Sequence, residues 1–110
     1  LNEPEAMRRL RVTAEYGCAP IWDLDKNPPV NLNGTDLGLS DQLSARLEAW
    51  SERFQRTLNQ EYPPFSGFET QAAAREFDDE GAHLAREIEE ALGGNASVSY
   101  LASAIITVES

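Results

Sequence analysis

Apolar and polar residues alternate from residue 9 to residue 16. Arg9, Arg11, Thr13 and Glu15 fall on one side, and Leu10, Val12, Ala14 and Tyr16 on the other. A period of two over this length predicts a half-buried strand, and Gly17 punctuates it. Pro20 to Asp25 predicts a second short strand with Trp22 and Leu24 inward. Asn27-Pro28-Pro29 and Asn33-Gly34 then mark an irregular loop with at least one tight turn. From Ser40 the period changes. Leu43, Leu47, Trp50, Phe54 and Leu58 step by four, three, four and four, which places them on one face of a helix over 41–61. Ser40 is its N-cap, Asp41 favours its dipole, and Pro63-Pro64 stop it. Ala73, Phe77, Gly81, Leu84, Ile88 and Leu92 form a second stripe, predicting a helix over 71–92. Thr70 or Ser66 would cap it, and Gly93-Gly94 would end it. Residues 96–102 alternate again, with Val98 and Tyr100 in one phase and Ser97 and Ser99 in the other. That is a further strand. Residues 104–108 could extend it, form another strand after a turn, or dock elsewhere as a tail.

Two helices with one apolar stripe each need a sheet to cover. The first strand has a single apolar face, so both helices should lie on one side of that sheet and leave a mostly polar face open. The short loop between them makes them roughly antiparallel. The expected fold is α+β and two-layered: a small, mainly antiparallel sheet of three or four strands with two antiparallel helices on one face. A chain of 110 residues is one domain. Met7 followed by Arg8 and Arg9 reads as a native start, with residues 1–6 as an upstream extension.

Charge changes the picture more than composition does. The chain carries a net charge of −10, and residues 69–92 account for −6 of it, with eight acidic side chains against Arg75 and Arg86. Glu76, Glu80, His83, Glu87 and Glu90 share one flank of the second helix, with Asp79 beside them. Glutamates stacked in this way repel one another when no base intervenes, and a concentrated negative field steers positively charged partners. The same acidity argues against direct binding to nucleic acid or to acidic membrane. No apolar run approaches the roughly 20 residues of a membrane span. Cys18 is the only cysteine, so no disulfide forms within the chain, which fits a reducing cytosol.

Candidate chemistry is sparse. His83 lies outward of the apolar stripe, with Asp79, Glu80, Arg86 and Glu87 as helical neighbours. It could form a metal or acid/base site, but on a convex face a solvated histidine is the simpler reading. No second histidine completes a zinc motif. Cys18 would need a base, and His83 is the only imidazole. Asp23 and Asp25 form a D-x-D pair that could bind a metal, face a partner, or serve as loop acids. No phosphate loop or nucleophile elbow is present. Trp50 lies on a helix stripe and belongs to the core. Trp22 is either core or an exposed interface anchor.

The stretch Tyr16-Gly17-Cys18-Ala19-Pro20-Ile21-Trp22, after the strand Val12 to Glu15, resembles a Y-G-C-x-P-x-W corner found in a group of small acidic bacterial proteins. Asp36-Leu37-Gly38-Leu39-Ser40, Arg46-Leu47-Glu48-Ala49-Trp50, Thr57-Leu58-Asn59 and Ser66-Gly67-Phe68 look like the same group. The resemblance covers about residues 9–101. Some of these proteins accompany toxin domains as immunity proteins, including in contact-dependent growth inhibition, and the group brings no catalytic residues or cofactor. The resemblance implies a non-enzymatic binder of a cognate toxin. With the acidity and the single cysteine, the expectation is a cytoplasmic chain that blocks a basic nuclease domain; the oligomeric state is open, with a monomer favoured. The contacts expected on this reading are Glu76, Asp79, Glu80, His83, Glu87, Glu90, Trp22, Asp23 and Asp25. The alternative is an acidic interaction module, a regulator or nucleic-acid mimic, not tied to a toxin.

Overall fold

A computed structural model describes residues 7–63 and 66–102. Strands β1 (Arg8–Val12), β2 (Ile21–Asp23) and β3 (Val30–Leu32) come first, followed by a short 3-10 turn (Gly34–Leu37). Helices α1 (Asp41–Gln55) and α2 (Gln71–Ala91) and strand β4 (Ala96–Tyr100) complete the order. The sheet runs β3-β2-β1-β4, with β1/β2 and β2/β3 antiparallel and β1/β4 parallel. This is the expected α+β fold with a mostly antiparallel sheet. The questions raised by residues 1–6 and 104–108 lie outside the described residues.

The capping groups act where the sequence places them. Ser40 Oγ accepts the Leu43 N–H at 3.1 Å and Thr70 Oγ1 accepts the Ala73 N–H at 3.0 Å. The two apolar stripes and the inner face of the sheet meet in one core of Leu10, Val12, Ile21, Leu47, Trp50, Phe77, Leu84 and Ile88. Trp50 sits at its centre. Its ring stacks on Phe77 at 4.5 Å, meets Tyr100 edge-on at 6.0 Å, and its Nε1–H donates to the Phe77 carbonyl at 2.9 Å. Gly81 makes this packing possible. A Cβ there would press on the Tyr100 ring and fall 2.6 Å from Trp50 Cζ2.

Several sequence expectations change. Helix α1 stops at Gln55, not at 61, because polar side chains beyond it take over backbone partners. Thr57 Oγ1 donates to the Phe54 carbonyl at 2.6 Å, and Asn59 Oδ1 accepts the N–H groups of Glu61 and Tyr62. Leu58, expected on the stripe, is consequently exposed. Strand β1 ends at Val12 because the chain turns at Glu15–Cys18, where Gly17 has φ +77°, and because Pro20 has no N–H to extend the ladder. The loop expected after β2 contains β3. Asn31 fastens it, its Oδ1 accepting the Ala19 N–H and its Nδ2 donating to the carbonyls of Ala19 and Ile21.

The largest correction concerns the phase of β2. Ile21 and Asp23 point to the core, while Trp22 and Leu24 point away from it. Ile21 pairs with Val12 and Asp23 with Leu10. Directly opposed residues share a face of the sheet, so the burial of Leu10 and Val12 dictates the orientation of β2.

Candidate partner interface

The acidic flank of α2 does not stand alone. Arg46 and Arg53 of α1 reach across to it. Arg46 grips Glu87 with both nitrogens, at 2.9 and 2.7 Å, and Arg53 meets Glu80 at 2.9 Å. Residues rise along α1 as their partners fall along α2, so the helices run antiparallel, as expected. His83 Nε2 lies 3.4 Å from Glu87 Oε2, adding to the same cluster. The like-charge cost inferred from a single helix is therefore offset within the fold, and Glu80 and Glu87 act as inter-helix fasteners. The sequence held the signal, since Arg46/Arg53 and Glu80/Glu87 are both spaced by seven. It becomes visible only once the two helices are placed flank to flank.

Two other acids of α2 are also used inside the molecule. Asp78 accepts the Tyr100 hydroxyl at 2.5 Å, and burial first, then this bond, pushes the Tyr100 phenol well above its ordinary value. Glu89 Oε1 accepts the Val98 N–H at 3.0 Å and so occupies a backbone donor on edge strand β4, which blunts that edge against pairing with another chain. Glu76, Asp79 and Glu90 remain exposed and make no ion pair or side-chain hydrogen bond among the described residues.

The D-x-D pair is also tied up. Asp23 is 4% exposed, meets Arg8 Nη2 at 3.2 Å and accepts the Asp25 N–H at 3.0 Å. Its carboxylate is thus held within the fold. Asp25 accepts both the backbone N–H and the Nε–H of Arg9, which holds its carboxyl below the usual carboxylate range. Cys18 lies in the corner beside Glu15, its thiol 3.7 Å from Glu15 Oε2. Burial first, and then that carboxylate, push the thiol up, which lowers its thiolate fraction at neutral pH relative to a free cysteine. Among the described residues, no three of histidine, cysteine, aspartate and glutamate gather as a metal site, and no helix is long and apolar enough to cross a membrane.

The α1–α2 fastener has a pH signature. The hydrogen bonds from Arg46 hold the Glu87 carboxyl below its ordinary value, outweighing the opposing effect of burial; the charges of Arg46 and His83 act in the same direction. A folded-state pKa below the unfolded value of about 4.3 means stability that is present above that value and lost as pH falls through the folded pKa. Denaturant melts of wild type and Glu87→Gln should therefore differ near pH 7 and converge at acid pH. A constant difference between the two at every pH would remove Glu87 as a source of acid sensitivity.

Residues 8–103 match the model of a family described as Serratia CdiI immunity protein-like. No curated protein matches the chain.

Proposed function

The chain belongs to the Serratia CdiI immunity protein-like family, and from that premise we propose that it binds and neutralises a cognate toxin in the cytoplasm. The family match over residues 8–103 carries this reading. The proposed target is a basic nuclease domain. Such a toxin uses lysines and arginines to hold phosphates, and an acidic protein can mask them sterically and electrostatically. The chain's net charge of −10 supports this, as do the three unspent carboxylates Glu76, Asp79 and Glu90. Glu80 and Glu87 have a structural task as well, since they hold Arg53 and Arg46. No catalytic step is assigned to the chain. That assignment is supported by a thiol pushed upward and by D-x-D carboxylates bound to Arg8 and Arg9.

The test is binding to a candidate toxin encoded next to this chain's gene, with the toxin's killing as a second readout. Wild type should form a stable complex and abolish killing. Reversing Glu76, Asp79 and Glu90 together to lysine should slow association by on the order of tenfold at low salt, and should flatten its salt dependence, because exposed charges act mainly on encounter. Melting should be nearly unchanged, since these side chains hold nothing within the fold. The same reversal at Glu80 and Glu87 would set lysine against arginine and loosen the helix pair, so it does not isolate binding. Identical association rates for wild type and the triple variant at both salt levels would eliminate α2 as the steering surface. Failure of the wild type to bind the toxin would sink the proposal itself.

A further inference from the structure

The face of the sheet turned away from the helices contains a depression of about 340 Å³ lined by Arg11, Trp22, Leu24, Pro28, Pro29 and Leu101, among others. We infer that this groove anchors the toxin by taking a segment in which a carboxylate is flanked by apolar side chains. The inference rests on the reading that the chain binds a toxin, and it names the short-range contact that the α2 carboxylates do not supply.

The pairing register creates the groove. Arg11 pairs with Trp22 across β1 and β2, so both side chains stand on the outer face. Leu24 follows Trp22 in phase, and Leu101, just beyond β4, is 51% exposed. Thr13 forms part of the lining and is already satisfied, its hydroxyl donating to the Leu101 carbonyl at 2.9 Å. Pro28 and Pro29 supply a stiff wall with no N–H donors. Their fixed φ leaves that wall little backbone freedom to lose on binding, which lowers the entropic cost of association there.

Charge complementarity selects the occupant. Of the three arginines at the start of the sheet, Arg8 is held by Asp23 and Arg9 by Asp25. Arg11 makes no ion pair or side-chain hydrogen bond among the described residues, although it belongs to a chain with net charge −10. The acid in the lining, Glu15, is turned to the Cys18 thiol. An unspent guanidinium beside an aromatic and apolar floor favours an incoming carboxylate with apolar neighbours and disfavours lysine or arginine. Tryptophan and arginine are the residues most often found at the energetic centre of an interface. The acids of α2 need not lie in this contact, because a field acts across a Debye length and shapes encounter, while desolvated anchors set residence time.

The experiment measures association and dissociation rates of the toxin with wild type, Arg11→Glu, Trp22→Ala, Leu101→Glu and the Glu76/Asp79/Glu90 triple reversal, each checked for folding by a thermal melt. Arg11→Glu and Leu101→Glu should raise the dissociation rate by about tenfold or more and leave association within a factor of about two to three. Trp22→Ala should do the same, and if it fails to fold the two charge variants carry the test. The tryptophan emission change on binding should be lost in Trp22→Phe, because Trp50 is enclosed by the core. Unchanged dissociation in both charge variants, with the wild type bound, would overturn the groove while leaving the toxin reading intact. Self-association of the chain that disappears in Arg11→Glu would give the groove to a second copy, and tighter toxin binding by a chain ended at Ala102 would give it to residues 103–110. Either outcome also overturns the inference.

Discussion

Trp50→Ala is expected to cost about 3–5 kcal/mol, the usual range for truncating a buried large aromatic. Trp50 is fully buried, and three contacts disappear together: the stack on Phe77, the edge contact with Tyr100 and the hydrogen bond to the Phe77 carbonyl. The neighbours that would have to collapse into the void are themselves fixed, since Phe77 lies in the middle of α2 and Tyr100 is tethered to Asp78. A domain of this size has about 5–15 kcal/mol of stability in total, so the variant should be close to unfolding. A urea melt should show a large fall in midpoint with an unchanged slope. A loss under about 1 kcal/mol would move Trp50 out of the core and discredit the register of α1.

Gly81→Ala should also destabilise, against the expectation from helix propensity. An alanine in mid-helix is favoured over glycine by about 1 kcal/mol. Here the added methyl meets Trp50 Cζ2 and the Tyr100 ring, both closer than carbon atoms approach without displacement. Neither ring yields easily, because the indole N–H is bonded to Phe77 and the phenol to Asp78. Overpacking of this kind costs about 1–3 kcal/mol, which exceeds the propensity gain over most of that range. The penalty should shrink in a Tyr100→Ala background, since the two sites touch and their effects will not add. A higher melting temperature for Gly81→Ala in the wild-type background would show that the rings slide aside and that glycine is not required.

The sequence and the structure agree best where a single element carries its own signal. Both helices, their caps at Ser40 and Thr70, and the central place of Trp50 follow from spacing along a helix. They disagree where a second element intervenes. The end of α1 is one case: Leu58 continues the stripe in sequence, yet Thr57 and Asn59 draw the backbone into a turn. Strand β3 is another. Val30–Leu32 is too short to show a period, and it is recruited by pairing with β2 and by the side chain of Asn31.

The candidate site divides in the same way. Charge count located the acidic helix, and a single chain of local signals could have gone no further. Whether Glu80 and Glu87 were free depended on which flank of α1 came to lie beside them, and their partners Arg53 and Arg46 are 27 and 41 residues distant in sequence. Whether Asp23 faced solvent depended on its register against Leu10, because a strand places neighbours on opposite faces and a shift of one residue exchanges them. That register buried Asp23 and turned Trp22 outward to lie beside Arg11. By itself the sequence determined the α+β class, the helices, most of the core and the family, because these rest on periodicity and on residue identity within local motifs. The tertiary structure alone decided which charges are paired within the fold and which aromatic is turned away from the core, because both are properties of pairs of elements and exist only once those elements are packed together.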